Sequence, residues 1–264
     1  MDLKKITVDG VQLAVRDQGS GEAVLLVHGF PLDHTMWRQQ WEPLSARYRV
    51  IIPDLRGFGQ SEVTAGTVTM AQFADDLAKL LDALRVPTVT YCGLSMGGYI
   101  GWEFWRRHRP RVSRMILCDT RAAADTEIVV RGRHWMARRV CDEGPGFVPE
   151  TMLPKLFAPQ TLGTPSDVVD QTRRTILTSS AEGIAAAQRG MAQRRDATAM
   201  LSSLDVPTLL IAGTHDVISP PAEIRQIADA VPEGAFIMVE RSGHLPPLEN
   251  PDDFNQAVLT FLSG

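Results

Sequence analysis

The chain has 264 residues, is 44% hydrophobic and 22% charged, and carries a formal net charge of −4. That apolar content excludes a disordered chain, and the mild acidity leaves no electrostatic footprint for nucleic acid. No apolar run approaches the ~18 residues of a membrane helix, so no membrane partner is expected either.

Residues 6–16 alternate around Asp9-Gly10, the signature of a tight hairpin. AVLLVHG (23–29) is a continuous apolar run closed by glycine, which suits a strand buried on both faces. A helix is expected around 34–46, then a second buried strand, RVIIPD, at 49–54. Over 70–85, Phe73, Leu77, Leu80, Leu81 and Leu84 share one stripe, which predicts an amphipathic helix. TVTYCGLS (88–95) reads as a strand running straight into a helix at 97–109, and VSRMILCD (112–119) as the next strand. PTLLIAG (207–213), a helix at 221–230, AFIMVE (235–240) and a helix at 251–262 complete the series. Strands alternating with helices predict an α/β fold: a doubly wound, mostly parallel sheet with helices on both faces.

Residues 121–200 break the alternation. They hold no convincing buried strand, and Pro145, Pro149, Pro154, Pro159 and Pro165 punctuate them. They carry 11 Lys/Arg against 9 Asp/Glu, whereas the rest of the chain carries 16 against 22. A mildly basic helical insert on an acidic core predicts a lid. Residues 1–120 and 201–264 are expected to form the core and 121–200 the helical cap. Cys92, Cys118 and Cys141 are far apart and lack CxxC spacing, so reduced thiols, no metal site and a cytoplasmic location are expected. MDLKKITVDG has no apolar core of signal-peptide length behind its lysines, which fits that expectation.

Gly93-Leu94-Ser95-Met96-Gly97 is a G-x-S-x-G between a strand and a helix. A sharp turn there lifts a serine hydroxyl above the sheet edge, beside a helix N-terminus, so Ser95 is the candidate nucleophile. A serine hydroxyl needs a base. His244, in Arg-Ser-Gly-His-Leu-Pro-Pro after the last strand, is the candidate among six histidines. The imidazole in turn needs a carboxylate to hold its tautomer. Asp216, in Gly213-Thr214-His215-Asp216, fits the chain order Ser…Asp…His; Asp119 is the rival, and a plain turn role for Asp216 the alternative. Two N–H donors for an oxyanion are expected from the backbone of Met96 and of Phe30 in His28-Gly29-Phe30-Pro31. His28 is expected to prop that loop. Asp54, with Arg56-Gly57-Phe58-Gly59, is expected to fix the next loop through a salt bridge and turn.

Together, His28-Gly29, Asp54-Leu55-Arg56-Gly57-Phe58-Gly59, Gly93 to Gly98, Gly213 to Asp216 and Gly243-His244 resemble the α/β-hydrolase family over nearly the whole chain. The resemblance implies an eight-stranded sheet with a helical cap inserted after the sixth strand. Tyr91 to Gly98 and Met115-Ile116-Leu117-Cys118-Asp119-Thr120 are similar to the β-ketoadipate enol-lactone hydrolases, whose substrates carry carboxylates. His28-Gly29-Phe30-Pro31 departs from them and is similar to general esterases and cofactor-free haloperoxidase-type enzymes. Dehalogenases and epoxide hydrolases of this fold place an aspartate where Ser95 stands, and the cap tyrosines of the latter are missing from 121–200.

The expected activity is that of a serine hydrolase, cleaving a carboxylic ester or lactone through an acyl-enzyme, with a small-molecule substrate and no cofactor. C–C bond hydrolysis or perhydrolase and haloperoxidase-type chemistry on the same residues is the alternative. A slow-turnover ligand receptor is the rival from another class. Trp135, Met136, Leu153, Leu156 and Phe157 are candidates either for an acyl pocket or for the cap's own core. The nine arginines from Arg131 to Arg195 are candidates either for holding a substrate carboxylate or for solvated helix faces.

Overall fold

The computed structural model describes residues 3–164 and 167–264, and Pro165 of the insert lies outside the described residues. Lys4–Val8 (β1) and Val11–Gln18 (β2) form the expected hairpin. Asp9 and Gly10 between them have φ of 48° and 78°, the pair of positive values that matches a tight turn to the strand twist. The other strands are Ala23–Val27 (β3), Arg49–Pro53 (β4), Val89–Leu94 (β5), Val112–Cys118 (β6), Thr208–Gly213 (β7) and Gly234–Val239 (β8). They make one eight-stranded sheet in the order β1-β2-β4-β3-β5-β6-β7-β8. β2 runs antiparallel to β1 and β4, and all other pairings are parallel. β3, β5 and β7 are buried along their whole length, which is why each reads as an unbroken apolar run.

The helices begin with Trp41–Ser45 (α1), Met70–Ala83 (α2) and Met96–His108 (α3). Thr69 caps α2 by accepting from the Gln72 N–H, and Phe73, Leu77, Leu80 and Leu81 form its buried stripe. Between β6 and β7 come Glu127–Glu143 (α4), Val148–Leu156 (α5), Pro159–Leu162 (α6), Asp167–Thr178 (α7) and Ala181–Met191 (α8). Pro221–Ala230 (α9) follows β7, and Pro246–Glu249 (α10) and Pro251–Ser263 (α11) follow β8. Among the described residues no helix is long and apolar enough to cross a membrane.

Two expectations need correction. The helix expected at 34–46 is instead a 3-10 turn, His34–Trp37, followed by the short α1. A continuous helix would bury Pro43 in its interior, where the missing N–H and the ring break the turn. The buried Gln40 amide between the two pieces donates to Pro247 O at 3.0 Å and Asn255 Oδ1 at 3.1 Å, anchoring that break to the C-terminal helices. The strand expected at 23–29 stops at Val27, because His28 and Gly29 leave the sheet as loop.

The helices between β6 and β7 meet the rest of the chain backbone to backbone. α8 presents Gly183, Ala186 and Gly190 on one face. A Cβ on Gly183 would overlap the Gly57 carbonyl, and one on Gly190 the Val68 carbonyl. Val68 N–H donates to Ala186 O at 3.2 Å in the same seam. Arg133 and Arg194 both pair with Asp125, and the Arg194 guanidinium lies 4.2 Å from the Tyr99 ring centroid.

The strand order reverses at β3, with β4 on one side and β5 on the other. In a parallel sheet such a reversal opens a crevice beyond the carboxyl ends of the strands. The loops after β3 and β5 carry Phe30 and Ser95 to that edge.

Candidate active site

Ser95 joins β5 to α3 with φ 55° and ψ −111°. A non-glycine residue in that region is strained by about 1–3 kcal/mol and persists only where its surroundings over-determine it. Here they do. Ser95 N–H donates to Cys118 O at 2.9 Å, and Ser95 O accepts from Gly98 N–H at 2.9 Å and Tyr99 N–H at 3.1 Å. Thr120 Oγ1 donates to the same carbonyl at 2.9 Å, and the buried Tyr91 hydroxyl donates to Gly97 O at 2.6 Å. Gly93 and Gly97 are required by close approach: a Cβ on the first would overlap the Gly97 carbonyl, and on the second the Val27 carbonyl of β3. Ser95 itself stays partly exposed between the buried Leu94 and Met96.

The two expected N–H donors flank this turn. Met96 opens α3, so its N–H belongs to the first turn, which has no intrahelical acceptor. Gly29 to Leu32 form a turn closed by Leu32 N–H to Gly29 O at 3.0 Å, which leaves the Phe30 N–H outside that bond. A Cβ on Gly29 would lie 3.4 Å from Ser95 Cβ, so this loop packs directly on the serine turn. Phe30 is buried edge-on against Phe58. His28 props the loop as expected: Nε2 accepts the Leu55 N–H at 3.0 Å and Nδ1 bonds Gly29 O at 2.9 Å. Burial pushes its pKa down, which keeps the ring neutral. Asp54 fixes the next loop through His34, not Arg56. It accepts the His34 N–H and Nδ1–H, each at 2.7 Å, and the Gln60 N–H at 2.8 Å. Burial opposes its charge, but those donors outweigh it and lower its pKa. Arg56 turns instead to Asp76 of α2 at 2.7 Å.

His244 and Asp216, in the loops after β8 and β7, are brought together and buried. His244 Nδ1 donates to Asp216 Oδ2 at 2.8 Å. A carboxylate on Nδ1–H leaves Nε2 of the neutral ring as the acceptor. The other Asp216 oxygen accepts Ile218 N–H at 2.8 Å and Ser219 N–H at 3.1 Å. The turn role and the histidine role of Asp216 are therefore both filled, one oxygen each. The rival, Asp119, stands beside them: donor atoms of Asp119, Asp216 and His244 lie within 4.8 Å of one another. A second such trio, Asp33, His34 and Asp54, exists near the loop after β3. In both, one histidine nitrogen bonds an aspartate.

Glu249 was not singled out by the sequence reading. Its Oε1 accepts Gly243 N–H at 2.7 Å, and its Oε2 accepts Ala158 N–H at 2.8 Å and Thr161 Oγ1–H at 2.6 Å. It thus stitches the His244 loop to the start of α6, and burial pushes its carboxyl pKa up. His244 N–H also donates to Leu156 O at 2.9 Å. The available signal was an acid set among Pro246, Pro247, Leu248 and Pro251 directly after the candidate base.

Of the pocket candidates, Met136, Leu153, Leu156 and Phe157 are buried, and the Leu156–Phe157 backbone touches Gly243. Trp135 is a correction. It is 46% exposed and packs on Phe147, beside an outer cavity of about 330 Å³ shared with Arg138, Arg139, Asp142 and Glu143. Consecutive helical residues point about 100° apart, so Trp135 and Met136 cannot share a face. Seven of the nine arginines from Arg131 to Arg195 already meet carboxylates: Arg131, Arg133, Arg139, Arg173, Arg189, Arg194 and Arg195. Arg138 and Arg174 are exposed.

A family profile described as alpha/beta hydrolase fold matches residues 22–251. The structure of a thermophilic esterase from Thermogutta terrifontis, solved with malate bound, is 44% identical with a TM-score of 0.95, covering 100% of this chain and 97% of that one. The enol-lactonase structure from Burkholderia xenovorans is 29% identical with a TM-score of 0.93, covering 99% and 100%. 3-Oxoadipate enol-lactonase 2 from Acinetobacter baylyi is 28% identical over 244 residues, 91% of this chain and 88% of that protein.

Proposed function

The chain belongs to the α/β-hydrolase fold family, and we propose that it is a serine esterase or lactonase that works through an acyl-enzyme on Ser95. The observation that carries this reading is the buried His244–Asp216 pair, bonded through Nδ1, on the same sheet edge as the strained Ser95. His244 Nε2 takes the Ser95 proton and Ser95 Oγ attacks the carbonyl carbon. The N–H groups of Phe30 and Met96 hold the oxyanion. His244 then protonates the leaving alcohol and activates water to release the acid. Asp216 keeps the imidazole in the acting tautomer and stabilises the imidazolium. Residues 121–200 serve as a cap over this edge, with the Leu156–Phe157 backbone against the His244 loop.

The 44% identical esterase and the enol-lactonase relatives support this substrate class. A fluorophosphonate probe is expected to label the wild type on Ser95 alone. Ser95→Ala is expected to stay folded and lose on the order of a million-fold in turnover. Labelling of the Ala variant at the wild-type rate overturns the assignment. A rate panel of p-nitrophenyl esters of rising chain length, small lactones and peroxide-dependent halogenation ranks the chemistries. Slow turnover of every activated ester would favour a ligand receptor.

A further inference from the structure

Asp119 directly follows β6, the strand beside the β7 that delivers Asp216, and no step above uses it. It is fully buried and held at φ 46°, a conformation that costs a non-glycine residue. Its Oδ1 accepts the Gly213 N–H at 2.9 Å. Its Oδ2 is buried and meets no donor among the described residues. The Asp216 carboxylate stands close by, with ligand atoms of Asp119, Asp216 and His244 within 4.8 Å of one another, and as an ion it can only accept. Two carboxylates at this range cannot both ionise in a dry site. One proton on Asp119 Oδ2 removes the repulsion and turns an orphaned acceptor into a donor.

We propose that Asp119 is a positioning residue, a neutral carboxylic acid whose Oδ2–H donates to Asp216 and so steadies the carboxylate that orients His244. The inference rests on the roles proposed above for Ser95, Asp216 and His244. The ionisable groups around Asp119 are Asp216, His244, Glu249 of α10 and the Cys118 thiol of β6. Burial first, then the charges of Asp216 and Glu249, favour the protonated form of Asp119. Burial likewise pushes the Cys118 thiol up, so it stays neutral. A donor on Asp216 draws negative charge away from the oxygen facing His244. Imidazolium is then held less tightly, and the base is free at lower pH.

The test measures kcat/KM against pH for an activated ester with wild type, Asp119→Asn and Asp119→Leu. Asparagine is isosteric: its Oδ1 still accepts from Gly213 and its Nδ2 still donates to Asp216. Its acid limb should coincide with that of the wild type. Leucine has no donor, and its limb should move up by about one pH unit, a tenfold loss below the limb. A limb that moves down in Asp119→Asn means Asp119 was ionised and overturns the proposal. Limbs unmoved in both variants overturn it too, leaving Asp119 a packing residue. Should Asp119→Leu not fold, the infrared difference spectrum of wild type minus Asp119→Asn at pH 8 decides. A protonated-carboxyl C=O band supports the proposal and its absence overturns it. Labelling of Ser95 in the wild type is scored separately, so failure of the serine reading and failure of this one are told apart.

Discussion

Asp216→Asn and Asp119→Asn differ by one strand in position and by orders of magnitude in expected effect. Asp216→Asn presents the wrong imidazole tautomer and should cost about ten-thousand-fold in kcat. Asp119→Asn keeps the donor and should stay near wild type in kcat at neutral pH; a reversal of the two would make Asp119 the acid. The same substitution has a stability signature. Asp119 titrates near 3.8 when unfolded and well above that when folded, through burial and then Asp216. Between those values the unfolded chain binds fewer protons, so wild-type stability falls by about 1.4 kcal/mol per pH unit. Asparagine lacks this loss, so the Tm advantage of Asp119→Asn should grow as pH rises above 4, and a gap constant with pH contradicts it. Asp216 was legible as a candidate because it follows the apolar run 207–213 in a loop, although Asp119 too lies between Ser95 and His244 in the chain. The closeness of the two carboxyls was not, because it depends on β6 and β7 lying side by side. Glu249 was illegible for a similar reason, since its partners Ala158 and Thr161 lie about ninety positions away in sequence.

Elements were legible wherever burial alone shaped them. β3, β5 and β7 could be read from apolar runs, and the α2 stripe from its spacing, because each element answers to one buried surface. The 34–46 segment could not, because Pro43 and the inward Gln40 amide divide it between a 3-10 turn and α1. Nor could the α8 seam, where the informative side chains are those that are missing. In an exposed helix interior Gly→Ala should stabilise by about 0.5–1 kcal/mol. Gly132 of α4 has nothing within 4 Å of a Cβ, so Gly132→Ala should raise the denaturation midpoint. Gly183→Ala and Gly190→Ala drive a methyl into the carbonyls of Gly57 and Val68 and should each cost about 1–3 kcal/mol. Chemical denaturation of the three variants reads this as a sign change. Stabilisation by either seam alanine would mean that α8 does not sit on the β4–α2 loop.

At the scale of the whole molecule, charge decides between the two substrate classes that the resemblance leaves open. The enol-lactone hydrolase likeness implies a carboxylated substrate, and the arginine-rich insert invites the same thought. The pairing pattern argues otherwise. Seven of the nine arginines are engaged by Glu103, Asp125, Glu127, Glu143, Glu150 or Glu182, so most already have a carboxylate partner. Asp125, its side chain 5% exposed, holds both Arg133 and Arg194, and those two guanidinium groups are the least free to turn to a substrate. The chain as a whole is also anionic, at −4, so its long-range field does not draw an anion in. A neutral ester should therefore match or exceed its ω-carboxylate analogue in kcat/KM, at both low and high salt. A bidentate arginine would instead favour the acid by about ten- to a hundred-fold. A preference of that size would show that one of these pairs opens to the substrate, or that Arg138 or Arg174 reaches it, and would return the enzyme to the lactonase side of its family.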